Sequence, residues 1–351
     1  MEDFISRTPD IGWVDWSIPE KMGEKNMQSR NVKIGKLGAA ITAVVTLIGF
    51  QPTPAQSADF PCSTAQLILP WGPGGGTAVL FGIFENYLNT NGANPKIKVV
   101  TMPGQGGNKG AKVAKGKAAD GCTLFAIHQS ALTSFLQGRV PFNWNAFDTV
   151  AHLTITPSFL AASPKSPFNT YDEMLAHVKK NNGAVKTGAT IGATSHFLWL
   201  RYGAATDTKF KYVPVQGGTG KRKTLLMNDT FLLAEMNAAA AGKEMKTGVL
   251  KPLAIAADKR DPSFPNVPTL KEKGVNMTAA LNRGIVVPKG TPKDIIDHWA
   301  KVFKGAVENP EFQKKIAAKG TGLQYMGPKE YADWFKTEDD LFAKLYAGVK
   351  K

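Results

Sequence analysis

A glycine-rich turn between an apolar run and a helix-like segment constrains this chain more than any other feature. The apolar run stops at Pro70, and a loop containing glycines at positions 74–76 leads to Thr77. The following segment is typical of a helix, with Thr77 as its predicted N-cap. Glycines allow a sharp turn with accessible amides, and the positive end of a helix dipole favours anions. The pattern predicts a strand, a turn and a helix start that can bind a carboxylate; a turn without a ligand is the alternative.

This loop does not match the glycine motifs that bind nucleotides. A P-loop requires Lys and then Ser or Thr after its last glycine, whereas Thr77 and Ala78 follow here. A dinucleotide-binding loop requires glycine or alanine three residues after Gly74, where Thr77 stands. The basic segment 220–224 also fails as a P-loop, because Val215 occupies the position of its first glycine. A nucleotide site is therefore not expected.

The charge of the chain indicates its general partners. The net charge is +15, and a basic surface attracts anions in general. The lysines are scattered along helix-like segments, and the sequence contains no nucleic-acid recognition module, so nucleic acid is not expected as a partner.

The N-terminal 58 residues have the pattern of a secretory leader. A basic segment precedes an uncharged run from Leu37 to Phe50, and small residues at Ser57 and Ala58 suit a cleavage site. The uncharged run is too short to span a bilayer comfortably. We expect residues 1–58 to be a leader with a signal peptide and residues 1–26 to be an upstream extension of the reading frame. The mature protein is expected to be soluble and exported.

Two cysteines, Cys62 and Cys122, follow the leader. Cys62 precedes the first predicted strand, and Cys122 begins an apolar run that ends at Ile127. If these strands are parallel neighbours, both sulfur atoms lie at the same end of the sheet, and an oxidising compartment permits a disulfide. Two independent thiols are the alternative.

Strand-like and helix-like segments alternate along the rest of the chain. Apolar runs at residues 97–100 and 122–127 end in glycine-rich or polar loops, as the first run does, and a second block repeats this pattern from Phe159. Such alternation predicts parallel α/β sheets with ligands at the carboxyl ends of the strands. Two α/β lobes with facing loops would enclose a cleft. Thr170 and Glu173 have the spacing of a helix capping box.

The end of the chain is predicted to return to the first lobe. Helices are expected to begin near Pro292, Pro310 and Pro328 and to cover the outside of that lobe. The predicted boundaries assign residues 59–158 and 286–351 to lobe 1 and residues 159–285 to lobe 2.

Several segments together resemble the solute-binding proteins of the tripartite tricarboxylate transporter family. They follow the family's order, at residues 70–77, 103–110, 119–124, 194–196, 213–217, 259–269 and 288–292. The resemblance implies a periplasmic binding protein fold of type II, in which two α/β lobes close on a small organic acid. It also implies a large and a small transmembrane transporter subunit as partners. We expect a periplasmic monomer that needs no cofactor.

The resemblance also implies ligand-binding residues. In the first loop these are Trp71, Gly74, Gly75, Gly76 and Thr77. Elsewhere they are Gln105, Gly106, Gln129, Ser130, Thr194, Ser195, His196, Gln216 and Glu235. Three departures from the family pattern suggest an unusual ligand: Ala78 replaces the usual Asp, Val215 and Gln216 replace a Tyr-Lys pair, and Glu235 stands where Asp is frequent.

Two other functions were compatible with the same fold: an enzyme, and a periplasmic receptor that feeds a signalling system. The histidines at positions 128, 152, 177, 196 and 298 show no paired metal-ligand spacing, and no Gly-x-Ser-x-Gly motif is present. Ser195 and His196 are adjacent, and adjacent residues at a helix start point about 100° apart. The sequence therefore predicts a protein that binds a mono- or dicarboxylate without converting it.

Overall fold

The structure, a computed structural model, describes residues 59–349. The predicted leader, with its signal peptide, cleavage site and upstream extension, lies outside the described residues. Within residues 59–349, no helix combines the length and the apolar character that crossing a bilayer requires.

The strands of the described chain belong to one sheet. They are β1 Thr64–Leu69, β2 Lys96–Thr101, β3 Thr123–Ile127, β4 Phe147–Ala162, β5 Lys186–Ala189, β6 Lys211–Pro214, β7 Leu233–Asn237, β8 Lys251–Ile255, β9 Ala280–Pro288 and β10 Gly322–Met326. The α-helices are α1 Gly76–Thr90, α2 Asn108–Lys115, α3 Ser130–Leu136, α4 Tyr171–Lys180, α5 Thr194–Thr206, α6 Thr219–Met227, α7 Ala238–Lys246, α8 Lys293–Glu308, α9 Pro310–Ala317 and α10 Pro328–Val349. Short 3₁₀ turns occupy Gln105–Gly107 and Trp144–Ala146.

The sheet is mixed, which corrects the prediction of purely parallel sheets. Its order is β2-β1-β3-β9-β4-β7-β5-β6, and β8 and β10 also pair with β4. Strand β1 is parallel to β2 and β3, and β5 is parallel to β6 and β7. Strands β4 and β9 are antiparallel to each other and to the neighbouring strands β7 and β3. They run in opposite directions because β4 leads the chain out of the first lobe and β9 leads it back.

Strand β4 joins the two lobes and begins at Phe147, well before the second block that the sequence pattern places from Phe159. Its first half pairs with β9 and β10, and its second half pairs with β7 and β8. The register with β9 shifts between Thr149 and Ala151 and again between His152 and Thr154. Each shift breaks the period-two pattern that identifies a strand in a sequence, so the first half of β4 gives little signal.

Each lobe has its own apolar core. In the first lobe, Phe81 and Phe84 of α1 pack with Trp299 and Phe303 of α8, all of them buried. Helix α9 contributes to this core, and α10 packs on another apolar cluster, which contains Phe125 of β3 and Phe147 of β4. Both helices therefore cover apolar clusters. Helix α10 also reaches the second lobe, where the ring of Phe342 stacks on Phe197 at a centroid distance of 5.3 Å.

Two local features correspond to patterns in the sequence, one predicted and one left open between two alternatives. Thr170 and Glu173 form the predicted capping box at the start of α4, in which each side chain accepts a backbone hydrogen bond. Cys62 and Cys122 are joined in a disulfide with a Cα–Cα distance of 6.1 Å. The bond lies at the amino ends of the parallel neighbours β1 and β3.

Candidate functional site

A narrow pocket, partly open to solvent, lies where loops of the two lobes meet. The loops that lead into α1, α5 and α6 contribute most of its wall. Two of these loops touch directly, because the amide of Gly72 donates a hydrogen bond of 3.0 Å to the carbonyl oxygen of Gly217. The lining residues are Trp71, Gly75, Gly76, Thr77, His128, Thr190, Ala193, Thr194, Ser195, Gly218, Thr219, Arg222, Glu235 and Leu281.

Three helix N-termini converge on this pocket without side-chain caps. The N-cap residues are Gly75 for α1, Ala193 for α5 and Gly218 for α6, and none of the three helices has a capping side-chain hydrogen bond. First-turn amides have no acceptor within their own helix, and the helix dipole adds positive potential there. Three such ends around one pocket produce a site suited to an anion.

The sequence predicts Thr77 as the N-cap of α1, and this prediction is wrong. The helix begins at Gly76, so Thr77 is its second residue. The hydroxyl oxygen of Thr77 instead accepts a hydrogen bond of 3.0 Å from Nε of Arg283. This contact connects the first loop with a buried cation of β9.

Arg283 is a buried cation, and none of the carboxylates in residues 59–349 is hydrogen-bonded to it. Its side chain is almost fully buried, and Nη1 donates to the hydroxyl of Thr156 at 2.7 Å. Its Nη2 has no hydrogen-bond partner among the described residues. Burial lowers the pKa of Arg283 to about 10, and the charge of Glu235 partly opposes that shift, so the guanidinium is charged at neutral pH.

The free end of Arg283 lies directly beneath the first loop. A Cβ atom at Gly76 would lie 3.2 Å from Nη2 of Arg283 and 2.5 Å from Oδ1 of Asn237. Only glycine leaves room for this approach. Two further buried donors nearby, Nδ2 of Asn237 and Nε1 of Trp71, also have no acceptor among the described residues. Buried donors are normally satisfied, so an acceptor placed against these three atoms would be stabilised.

The cation that lines the pocket, Arg222, is neutralised. Nη2 of Arg222 forms a salt bridge with Oε2 of Glu235, and both side chains are only 3% exposed. Burial lowers the pKa of Arg222, and the charge of Glu235 opposes that effect. The other oxygen of Glu235 accepts a hydrogen bond of 3.1 Å from the hydroxyl of Ser158.

An aromatic pair forms another part of the wall. The rings of Trp71 and His128 stack with a centroid distance of 5.2 Å and an interplanar angle of 15°. Burial, followed by the charge of Arg283, lowers the pKa of His128 to about 3. The imidazole is therefore neutral at neutral pH, and its Nδ1 accepts a hydrogen bond from the amide of Ser130 at 3.2 Å.

The structure brings half of the predicted ligand-binding residues to the pocket. Those that line it are Trp71, Gly75, Gly76, Thr77, Thr194, Ser195 and Glu235. Those outside its lining are Gly74, Gln105, Gly106, Gln129, Ser130, His196 and Gln216. Gln216 is exposed, and Gln129 is engaged elsewhere, because its Oε1 accepts from the amide of Asn282 at 3.1 Å.

Two of the outlying residues, Ser130 and His196, have structural surroundings of their own. Ser130 lines a neighbouring, mainly apolar cavity that shares His128 with the pocket. His196 accepts from the amide of Gly192 at 3.4 Å through Nδ1, and its ring packs edge-on against Tyr212. Burial, followed by the charge of Arg139, lowers the pKa of His196.

The second glycine loop, between β2 and α2, contains Gly104, Gly106 and Gly107. A side chain of the protein itself fills the space beside it. Arg139 donates to the carbonyl oxygens of Gln105 at 2.9 Å and Ile191 at 2.8 Å. A Cβ atom at Gly106 would lie 2.6 Å from Nη1 of Arg139. This guanidinium occupies the space where a ligand group would have to approach Gln105 and Gly106.

The sequence reasoning missed Arg222, Arg283 and His128 as residues of the site. Arg283 interrupts the apolar strand β9, and a charged residue within such a run is a signal of a buried functional group. Arg222 lies in the basic segment 220–224, which does not match a P-loop and shows no other motif. Within residues 59–349, no group of three or more His, Cys, Asp or Glu side chains could hold a metal ion.

Comparison with known proteins connects this site with a family. The family described as "Tripartite tricarboxylate transporter family receptor" matches residues 93–343. The chain is 27% identical to the "UPF0065 protein in gbd 5'region" of Cupriavidus necator, over 91% of this chain and 98% of that protein.

Two solved structures show the same fold. The periplasmic binding protein BugD superimposes with a TM-score of 0.77 at 22% identity, covering 82% of this chain and 97% of BugD. MatC from Rhodopseudomonas palustris with bound malate superimposes with a TM-score of 0.75 at 23% identity, covering 82% of this chain and 99% of MatC. The architecture is thus that of a periplasmic binding protein, with two α/β lobes and a cleft between them.

Proposed function

The chain belongs to the tripartite tricarboxylate transporter receptor family, and on that premise we propose that it captures a small organic carboxylate in the periplasm and delivers it to a transporter. Its partners would be a large and a small transmembrane subunit. Malate, the ligand of MatC, is itself a carboxylate.

The observation that carries the proposal is the convergence of unsatisfied donors on one pocket. Three uncapped helix N-termini face it, and beneath Gly76 of its wall Nη2 of the buried Arg283 has no partner among the described residues. A carboxylate supplies the negative charge and the acceptor oxygens that this arrangement lacks. The pocket offers binding groups, and the buried imidazole of His128 has no hydrogen-bonded nucleophile beside it, so we propose binding without conversion.

The proposed lobes would close about β4 and β9, the strands that connect them. We retain residues 59–158 and 286–351 as lobe 1 and residues 159–285 as lobe 2. Residues 1–58 would be the leader, and the exported protein a monomer. Mass spectrometry of protein recovered from the periplasm should place the mature N-terminus after Ser57 or Ala58; a retained leader would contradict export by cleavage.

A thermal-shift screen of organic acids, followed by calorimetry, tests the binding function. A ligand at one hundred times its Kd should raise the free energy of unfolding by about 2.7 kcal/mol. Thr194→Leu should abolish this stabilisation because Thr194 lines the pocket. Thr247→Leu, on an exposed position after α7, is the matched control and should retain it.

Two results would overturn the proposal. One is that no carboxylate stabilises the protein. The other is that the bound acid is converted to a product, which NMR would detect. Delivery to a transporter is tested separately, by uptake of the labelled acid in cells with and without this protein.

A further inference from the structure

Positively charged groups outnumber negatively charged groups at the pocket and directly beneath it. Among the described residues that line it, only Arg222 and Glu235 carry a formal charge at neutral pH, since His128 is neutral. Arg222 and Glu235 neutralise each other in a buried salt bridge. Arg283, directly beneath Gly76, is the third charged group.

The charge of Arg283 is not balanced within the protein. All of its described hydrogen-bond partners are neutral: the hydroxyls of Thr77 and Thr156, and the carbonyl oxygen of Leu281 at 3.5 Å. Glu235 acts on it electrostatically, but that carboxylate is already engaged with Arg222. Arg222 and Glu235 in the pocket wall, with Arg283 beneath it, leave one excess positive charge at this site.

We infer that the pocket selects a monoanion: a carboxylate ligand whose remaining polar group is a neutral hydrogen-bond donor, such as an amide or a hydroxyl. This inference rests on the proposed carboxylate-binding function. One carboxylate balances Arg283. A second carboxylate would introduce a negative charge beside the buried Glu235 without another cation, and like charges in a buried site repel strongly. A neutral donor can instead use the acceptor capacity that remains on Glu235, whose oxygens have Arg222 and Ser158 as partners.

Glu235 supplies the negative charge of the pocket wall. It is buried in the middle of β7, and its charge enters the net charge of the pocket. We therefore assign Glu235 as the residue that determines the charge of the ligand. Arg222 holds its carboxylate in position through a second contact as well, in which Nε donates to the backbone oxygen of Glu235 at 3.1 Å.

Matched pairs of acids test this inference in the intact mature chain. Calorimetry at pH 7.5 would compare succinate with its monoamide, glutarate with its monoamide, and adipate with its monoamide. We expect the monoamide of the best-fitting pair to bind at least about tenfold more tightly than the diacid, because only the diacid places a second charge near Glu235. A diacid that binds as tightly as its monoamide overturns the inference and leaves the proposed function intact. Binding of no compound in any pair contradicts both.

A pair of variants tests whether Glu235 is the residue that causes the preference for a monoanion. Glu235→Gln removes the buried negative charge with little change in shape, and it should shift the ratio of the two affinities at least about tenfold toward the diacid. Glu244→Gln is the control, because Glu244 pairs with Lys223 on the surface of α7 and lies outside the pocket. Its ratio should stay within about twofold of wild type.

Circular dichroism and thermal unfolding would verify that both variants fold. If Glu235→Gln folds and keeps the wild-type ratio, Glu235 does not select the ligand charge. If it does not fold, the wild-type comparison of diacid and monoamide still decides whether the pocket selects a monoanion.

Discussion

The two glycine loops of the first lobe look alike in the sequence and have different roles in the structure. Each connects a strand to a helix: one runs from β1 to α1, and the other from β2 through a 3₁₀ turn to α2. The first contributes Gly75 and Gly76 to the pocket. The second is closed by the guanidinium of Arg139, which donates to the backbone oxygen of Gln105.

The difference between the loops lies in what faces them. Gly104, Gly106 and Gly107 all have positive φ angles, of 136°, 68° and 98°, so glycine is required there for backbone conformation. Gly76 is a helical residue, and glycine is required there because Asn237 and Arg283 approach closely. Glycine-rich loops therefore identify sharp turns, and the side chains opposite them decide whether a ligand can bind.

Replacing Arg283, the buried cation below the first loop, should have the largest effect on ligand affinity. Arg283→Met should weaken carboxylate binding about 100-fold, since a charge-assisted hydrogen bond contributes about 1.5–3 kcal/mol. The lowered pKa of Arg283 means that its buried charge costs on the order of 3 kcal/mol of stability below pH 10. The ligand-free variant should therefore be no less stable than wild type. Calorimetry and urea unfolding would measure the two quantities; weaker folding with unchanged affinity would refute the assignment.

His128, in the pocket wall beside the first loop, should make the free energy of unfolding depend on pH. The pKa of His128 is lowered from 6.5 to about 3, so between these values the unfolded chain binds more protons than the folded one. Stability contributed by neutral His128 is therefore fully present above pH 6.5 and is lost as pH falls toward 3. At pH 5 this loss is about 2 kcal/mol.

Urea unfolding at pH 7.5 and pH 5 would measure that dependence. His128→Gln removes the titrating ring, so the fall in unfolding free energy should be about 2 kcal/mol smaller in the variant than in wild type. Loss of stacking on Trp71 shifts both values equally and does not affect this difference. Equal pH dependence in the two proteins would show that His128 titrates normally.

A crossed pair of glycine substitutions tests the comparison of the loops directly. Gly76→Ala should weaken ligand binding about tenfold, because the new Cβ displaces Asn237 or Arg283. Gly106→Ala should lower stability by about 1–2 kcal/mol, since an L-residue is strained at φ 68°, and should leave affinity unchanged. Gly82→Ala is the control in α1, where a new Cβ has no neighbour within 4 Å.

Affinity by calorimetry and stability by urea unfolding separate the two effects. If Gly106→Ala weakens binding as much as Gly76→Ala does, the second loop takes part in the site. If Gly76→Ala binds normally, the space beneath the first loop is not part of it.

Local sequence determined much of this protein. The alternation of apolar runs and helical segments, the capping box of Thr170 and Glu173, and the strand, turn and helix around residues 67–77 depend on neighbouring residues, so a single sequence displays them. The family's motifs, in their order, also sufficed to indicate the periplasmic binding protein fold. Half of the predicted ligand-binding residues line the pocket, most of them at the N-termini of α1 and α5.

Only the tertiary structure decided which groups meet at the site. Thr77 and Arg283 are 206 residues apart in the chain, and their contact exists because β9 returns beside the first lobe. Arg139 closes the second loop from a position 34 residues beyond Gln105. Charge balance and hydrogen-bond satisfaction are properties of groups close in space, and a sequence gives distances only along the chain. The type of fold was therefore readable from local pattern, whereas the charge of the pocket required the three-dimensional arrangement.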